Sequence, residues 1–315
     1  MSLAFIFPGQ GSQSVGMGKA LAETFPQARD VFAEVDSALG QNLSGLMFEG
    51  PEADLTLTAN AQPALMAVSL AVTRVLQAEA GLDLATQARF IAGHSLGEYS
   101  ALAAAGTFSL GDTARLLRIR GDAMQKAVPV GEGAMAALLG ADLATGIAIA
   151  AEAAQGQVCQ VANDNGGGQV VVSGHKGAVE RAMEISKARG IKRAIALPVS
   201  APFHCALMKP AAEVMAQALA SVAMQAPCVP LVANVLAAPL TDPEEIRRRL
   251  VEQVTGTVRW AESIAYMAHE GVDSFYELGT GKVLSGLVKR IADTATGTAV
   301  NTPADIAAFA ARPKS

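Results

Sequence analysis

The segment Gly93-His94-Ser95-Leu96-Gly97 constrains the fold of this chain more than any other feature. It follows the strand-like residues Phe90-Ile91-Ala92 and precedes a good helix, which is the context in which Gly-x-Ser-x-Gly forms a sharp strand-to-helix turn. The glycines permit the turn, and the start of the helix offers backbone N–H groups to a developing oxyanion. A Gly-Ser turn that only caps a helix is the alternative. The full pattern in this context favours Ser95 as a nucleophile that forms an acyl-enzyme.

Strands alternating with helices predict an α/β fold with a largely parallel sheet. The apolar run Leu3 to Phe7, ended by Pro8-Gly9, is typical of a buried strand that meets a turn. The further predicted elements are helices over 16–40, 63–77 and 96–105 and a short strand over 89–92.

Between about 133 and 199 the order of predicted strands and helices changes to βαββαβ, which is the ferredoxin-like arrangement. The predicted strands are 133–139, 158–163, 169–174 and 192–197, and the predicted helices are 143–155 and 178–188. The middle turn, Asn163-Asp164-Asn165 followed by Gly166 to Gly168, has strong hairpin chemistry. We therefore predict a small ferredoxin-like subdomain, 126–198, inserted in a large α/β-hydrolase-like subdomain, 1–125 and 199–315, with the site in the cleft between them.

The composition excludes several classes of protein. A formal net charge of -5 and no block of basic residues argue against nucleic acid or an anionic membrane as the main partner. The three cysteines are too few and too scattered for a disulfide framework, and no CxxC pair indicates zinc or redox chemistry. No signal peptide, membrane span, metal site or cofactor is predicted, and a cytoplasmic location fits best.

A nucleophilic serine needs a base, and the chain has four histidines. His94 is adjacent to Ser95 and is expected to point away from its hydroxyl. His175 and His269 fit surface or capping positions. His204, in a loop where the large subdomain resumes, is favoured as the base, although an ordinary loop histidine remains the alternative. No acid stands out as its partner, because Asp242 fits better as a helix cap.

Two further segments contain candidate functional groups. The loop Phe7-Pro8-Gly9-Gln10-Gly11 fails the dinucleotide and P-loop patterns, so we expect the backbone N–H of Gln10 to serve as an oxyanion donor. Arg120 lies on a different helical face from Arg115 and Arg118 and is predicted to point inward. An inward guanidinium binds a carboxylate in bidentate fashion, which suits a substrate with a free carboxylate.

Taken together, these segments resemble the malonyl-CoA:acyl carrier protein transacylase family over nearly the whole chain. The shared motifs are FPGQGSQ (7–13), QPAL (62–65), GHSLGEYSAL (93–102), RG (120–121), the 163–174 turn and strand, PFH (202–204) and ELGTGKVLSGL (277–287). The resemblance implies Ser95 as nucleophile, His204 as base, Arg120 as the malonyl-carboxylate clamp, and Gln10 with Leu96 as oxyanion donors. It also implies that the Gln253 main-chain carbonyl orients the histidine. His94 and Asn163 complete the predicted substrate-binding set.

The chain departs from the family pattern at two places. Thr257 replaces a proline, which predicts a looser loop around Gln253. Two glycines, Gly166 and Gly167, replace a Ser-Pro pair, which predicts a mobile rim of the cleft. Phe203 suits a pocket for unbranched malonyl.

The resemblance implies malonyl-CoA and acyl carrier protein as partners, a monomer, and no cofactor beyond the coenzyme A thioester substrate. Because acyl carrier proteins are acidic, Lys187, Arg189, Lys192 and Arg193 are candidates for a docking patch, with a solvated helix end as the alternative. Two rival functions remain. A thioesterase or other hydrolase is distinguished by whether the Ser95 acyl-enzyme persists in water without a thiol. A non-catalytic acyl-CoA or carrier-protein binding module has no need for Ser95, His204 and Arg120 together.

Overall fold

The structure is a computed structural model that describes residues 2–312. Its strands are β1 (Leu3–Phe7), β2 (Ala88–Gly93), β3 (Gly133–Leu139), β4 (Cys159–Asp164), β5 (Gln169–His175), β6 (Arg193–Ala196), β7 (Leu231–Ala233), β8 (Ala238–Leu240), β9 (Val258–Arg259), β10 (Ser274–Leu278) and β11 (Thr296–Val300). Its helices are α1 (Lys19–Thr24), α2 (Pro26–Leu39), α3 (Leu43–Glu49), α4 (Glu52–Thr56), α5 (Thr58–Ala80), α6 (Leu84–Gln87), α7 (Gly97–Ala104), α8 (Leu110–Lys126), α9 (Leu143–Ala154), α10 (Lys176–Ala188), α11 (Lys209–Ala220), α12 (Pro243–Gln253), α13 (Trp260–His269), α14 (Val283–Ile291) and α15 (Pro303–Ala310).

The fold is mixed α/β and contains two sheets, which confirms the predicted class. The first sheet has the strand order β11-β10-β1-β2-β7-β8 and is parallel except for the edge strand β8. Strand β1 is buried along its whole length, as a central parallel strand covered on both faces must be. Because parallel strands end at the same edge, the loops after β1 and β2 lie side by side there.

The second sheet has the order β6-β3-β5-β4-β9. The four strands between residues 133 and 196 pair antiparallel, with α9 and α10 packed against them. The fifth strand is β9, which comes from much later in the chain and runs parallel to β4, with Asn163 opposite Val258. This strand was not predicted, because two residues carry no detectable pattern of their own.

Two predicted helix boundaries were wrong. The helix over 16–40 is split into α1 and α2, because Phe25 is extended (φ −120°, ψ 124°) before Pro26, and the residue before a proline disfavours the helical region. Helix α5 begins at Thr58 rather than at Pro63. Its added first turn packs directly on Gly121 of α8, a tertiary contact that local sequence does not show.

The described part of the chain, residues 2–312, has no helix that is both long enough and apolar enough to cross a bilayer.

Candidate active site

Ser95 lies in the sharp turn between β2 and α7, and its backbone is left-handed (φ 54°). The two flanking glycines are required by close approach. A Cβ on Gly93 would lie 1.9 Å from the Gly97 carbonyl group, and a Cβ on Gly97 would lie 2.3 Å from the Phe7 carbonyl oxygen. A non-glycine residue with positive φ is strained and persists only where its surroundings fix it. The turn therefore holds the Ser95 side chain in one defined place.

Asn234, at the end of β7, holds the other side of this turn. The Ser95 N–H donates to Asn234 Oδ1 at 2.8 Å, and Asn234 Nδ2 donates to the Gly93 carbonyl at 2.7 Å. Asn234 is fully buried and was not among the residues predicted from the sequence. Because this contact occupies the Ser95 N–H, that amide is not free to bind an oxyanion.

His204 contacts the serine. The distance between Ser95 Oγ and His204 Nε2 is 2.7 Å, and His204 Nδ1 lies 2.9 Å from the Gln253 carbonyl oxygen. A carbonyl can only accept, so Nδ1 carries the proton and Nε2 is free to accept from the serine hydroxyl. His204 is itself left-handed (φ 57°), so both members of the pair sit on strained backbone.

Burial and, to a smaller extent, the positive charge of Arg120 together lower the pKa of His204 to about 3, against the hydrogen bond to the Gln253 carbonyl. The imidazole is therefore neutral at pH 7. A neutral imidazole with a free Nε2 is the form that accepts a proton.

Arg120 points into the site and is 2% exposed. Its Nη1 donates to Gln62 Oε1 at 2.7 Å, and its Nη2 donates to Gln253 Oε1 at 2.9 Å and to Ser95 Oγ at 3.2 Å. All three acceptors are neutral, and within residues 2–312 no carboxylate lies within 4 Å of the guanidinium. A buried cation with no carboxylate in contact is costly, so the guanidinium has capacity to bind an anion.

Glu98, which was not predicted from the sequence, contacts Gln253. It is 1% exposed, and it accepts from Gln253 Nε2 at 2.6 Å, while the same amide nitrogen donates to the Ser95 carbonyl at 2.9 Å. Burial raises the pKa of Glu98 to about 8, although the Gln253 hydrogen bond and Arg120 oppose this rise. An acidic residue one turn after Ser95, in an otherwise uncharged helix, was the available signal.

Gln10 and Leu96 present backbone N–H groups near Ser95. Neither amide donates a hydrogen bond to another group in the described chain. Gln10 lines the same cavity as Ser95, and Leu96 is the residue directly after it. An oxyanion hole requires unoccupied donors of this kind beside the reacting serine.

The cavity above Ser95 has a volume of about 430 Å³. Gln10, His94, Ser95, Arg120, Asn163 and His204 are among the residues that line it. An adjoining cavity of about 240 Å³ shares Gln10, His94 and Asn163. A larger one, about 740 Å³, is lined by residues such as Ser14, Lys282 and Asn301 and includes none of Ser95, Arg120 or His204. Size alone therefore does not locate the site.

The remaining histidines are accounted for individually. His94 Nε2 lies 2.9 Å from Asn165 Oδ1, its ring packs against Trp260, and burial lowers its pKa. His175 Nδ1 accepts from the Val158 N–H at 2.9 Å, and the His269 side chain is 87% exposed. Neither lines the cavity. Asp242 caps α12, as predicted, by accepting from the Glu245 N–H.

The residues at the two departures from the family pattern both make contacts with neighbouring segments in the structure. The Thr257 hydroxyl donates to the Val161 carbonyl at 2.6 Å, which links the loop after Gln253 to β4. Gly166 and Gly167 have positive φ, and a Cβ at either would press on Ile291 or Arg290. The structure thus shows a side-chain anchor and a packed turn at these two places, and the looser loop and mobile rim stay predictions.

The four predicted docking residues, Lys187, Arg189, Lys192 and Arg193, are exposed at the end of α10 and the start of β6. Arg189 is paired with Glu152, so part of its charge is neutralised. Residues 2–312 contain no group of three or more His, Cys, Asp or Glu side chains arranged to hold a metal ion.

The chain is similar to proteins of known family over nearly its whole length. Residues 4–303 match the family described as the acyl transferase domain. The malonyl CoA-acyl carrier protein transacylase of Escherichia coli (strain K12) is 50% identical over 305 residues, which cover 97% of each chain. The crystal structure of acyl-carrier-protein-S-malonyltransferase from Bartonella henselae is 58% identical, covers 98% of each chain and has a TM-score of 0.96.

A further solved structure is that of a malonyl-transacylase in complex with its type II PKS acyl-carrier protein, with 44% identity, coverage of 98% of this chain and 99% of that chain, and a TM-score of 0.95. The match to the acyl transferase domain over residues 4–303, together with the contact between Ser95 and His204, defines the protein as an acyltransferase. The chain belongs to the malonyl CoA-acyl carrier protein transacylase family.

Proposed function

We propose that the protein transfers the malonyl group from malonyl-CoA to the phosphopantetheine thiol of acyl carrier protein, in fatty acid synthesis, through a malonyl-Ser95 intermediate. The observation that carries this proposal is the buried Arg120 guanidinium, which lies 3.2 Å from Ser95 Oγ and contacts only neutral acceptors. An acyl group that ends in a carboxylate, bound as an ester on Ser95, supplies the missing anion.

In the first half-reaction, His204 Nε2 takes the proton from Ser95 Oγ as this oxygen bonds to the thioester carbonyl carbon. The N–H groups of Gln10 and Leu96 stabilise the resulting oxyanion. The C–S bond then breaks, and the imidazolium returns its proton to the leaving sulfur of coenzyme A. The product is malonyl-Ser95 and free coenzyme A.

In the second half-reaction, His204 takes the proton of the phosphopantetheine thiol as its sulfur attacks the ester carbonyl. The same donors stabilise the second oxyanion, the C–O bond breaks, and Ser95 Oγ recovers the proton. The uncharged Gln253 carbonyl stabilises imidazolium less than a carboxylate does, and this suits a reaction in which thiolate is the good leaving group.

Arg120 selects the acyl group. A bidentate contact with the malonyl carboxylate pairs its charge, whereas an acetyl group leaves that charge buried and unpaired. His94 and Asn163, which line the cavity, would contact the bound substrate. Phe203 also lines it and fits an unbranched malonyl group.

The finer organisation belongs to the same proposal. The antiparallel strands of the second sheet support a ferredoxin-like subdomain over 126–198, and the parallel first sheet supports a hydrolase-like subdomain over 1–125 and 199–315. A monomer that needs no cofactor besides its thioester substrate, and a cytoplasmic location, stay predictions.

Intact-mass measurement after mixing with malonyl-CoA tests the central claim. We expect the protein to gain the mass of one malonyl group, because Ser95 Oγ and His204 Nε2 are already in contact. The matched control is Ser95→Ala, which should gain nothing. An adduct that persists without a thiol and disappears with acyl carrier protein supports transfer. Absence of the adduct would refute the proposal, and rapid loss to water would point to a hydrolase.

Charge reversal tests the docking patch. Lys192→Glu with Arg193→Glu should raise the KM for acyl carrier protein several-fold, because rim charges steer an acidic partner. The half-reaction with malonyl-CoA should be unchanged. Arg74→Glu, an exposed site on α5, is the control. Equal effects on the two half-reactions, or the same rise with Arg74→Glu, would count against this surface.

A further inference from the structure

Helices α5 and α8 touch backbone to backbone beside the clamp. A Cβ on Gly121, the residue after Arg120, would lie 2.6 Å from Ala59 Cα and 2.7 Å from the Thr58 carbonyl oxygen. Only glycine permits this approach. The first turn of α5 therefore lies directly against the backbone of α8 next to Arg120.

A chain of hydrogen bonds starts at Arg120 and ends at the oxyanion loop. Arg120 Nη1 donates to Gln62 Oε1 at 2.7 Å, and Gln62 Nε2 donates to Thr58 Oγ1 at 3.3 Å. The Thr58 hydroxyl in turn donates to Gln10 Oε1 at 2.9 Å. Gln62 and Thr58 are each 1% exposed. Because every donor points the same way along the chain, each bond polarises the next.

Gln10 depends on this contact. It stands between Gly9 and Gly11, and Gly11 is left-handed (φ 100°). The Gly11 N–H donates to Gln13 Oε1 at 2.7 Å, and the Gln10 side chain supplies a second restraint on this loop. Among the described residues, the Thr58 hydroxyl is the only hydrogen-bond partner of the Gln10 side chain. An oxyanion donor is effective only when its N–H is already aimed at the position of the developing charge.

We infer that Thr58 and Gln62 are positioning residues: they connect the buried arginine to the Gln10 side chain and so aim the Gln10 backbone N–H at the oxyanion. This inference rests on the proposed function and adds two residues to it. Neither side chain touches the reacting atoms. They act through Gln10, whose own contribution is made by its main chain.

Thr58→Val tests the inference, because valine keeps the shape of threonine and removes the hydroxyl. We expect kcat for acylation by malonyl-CoA to fall on the order of 10-fold, with KM changed by less than about 2-fold, since the loss falls on the oxyanion and not on the clamp. Thr58→Ser restores the hydroxyl and should recover most of the rate. Thr73→Val is the matched control: Thr73 is equally buried on the same helix, and its hydroxyl donates to the Ser69 carbonyl.

A double variant shows whether Thr58 acts through Gln10. Gln10→Ala keeps the backbone N–H but loses the anchor, so it should match Thr58→Val, and the double variant should lose no more than either alone. Additive losses, or equal losses in Thr58→Val and Thr73→Val, would overturn the inference. A wild-type protein that forms no malonyl adduct would instead refute the proposed function, so the two failures are distinguishable.

Discussion

Replacing Ser95 or His204 with alanine should each lower kcat for malonyl transfer by roughly 10⁴-fold or more. The two side chains act as one unit, since Ser95 Oγ and His204 Nε2 are 2.7 Å apart and the serine is unreactive without its base. The double variant should therefore lose no more than the worse single variant. Coenzyme A release in a single turnover measures the first half-reaction directly.

The control for this pair is His175→Ala, since His175 lies outside the cavity and its ring binds the Val158 N–H. The pH dependence gives a second measurement of the same role. Because burial lowers the pKa of His204 to about 3, the base form persists as the pH falls, and the acid limb of kcat/KM should lie well below pH 6.5. If kcat of the His204→Ala variant were within about 10-fold of the wild-type value, His204 would not be the general base.

Replacing Arg120 with alanine should lower malonyl transfer and raise acetyl transfer relative to it. Leaving a buried charge unpaired costs about 2 to 5 kcal/mol, so the ratio of the two kcat/KM values should change by roughly 30-fold or more. The reason is that the fork of Arg120 has neutral partners only, and malonyl supplies the anion while acetyl does not. Parallel assays with malonyl-CoA and acetyl-CoA measure the ratio.

Two variants make this measurement specific. Arg120→Lys keeps the charge but loses the planar fork, so it should fall between wild type and Arg120→Ala in selectivity. Arg118→Ala removes an arginine of the same helix that instead contacts Gln41, and it should leave the ratio unchanged. Equal losses for malonyl and acetyl in Arg120→Ala would mean that Arg120 only supports Gln253 and Ser95, and does not select the substrate.

The strands and helices near the nucleophile could be predicted because their signals are local. Strand β1 was predicted with its observed limits, and the Gly93 to Gly97 turn falls between β2 and α7 as expected. Glycines on both sides of a serine permit a sharp strand-to-helix turn there, and this signal lies within five residues. The inward direction of Arg120 also followed from helical spacing alone.

The partners of these residues could not be predicted in the same way. Asn234 and Glu98 lie 139 and 155 residues from the groups they bind, Ser95 and Gln253. Glu98 stands out locally as the one charged residue of its helix, but no local pattern shows which distant amide Asn234 or Glu98 binds. The split of α1 from α2 was a different case, since its signal, Pro26, was present in the sequence.

The sequence by itself determined the chemistry available: a serine in a strand-to-helix turn, a small set of histidines and an arginine set apart from its neighbours on one helix. Only the tertiary structure decided how these groups are used. It placed His204 Nδ1 against the Gln253 carbonyl, left Arg120 without a carboxylate, and joined Arg120 to Gln10 through Gln62 and Thr58. The physical reason is that residue type is a local property, whereas hydrogen-bond partners and burial depend on which distant segments the sheets and helices bring together.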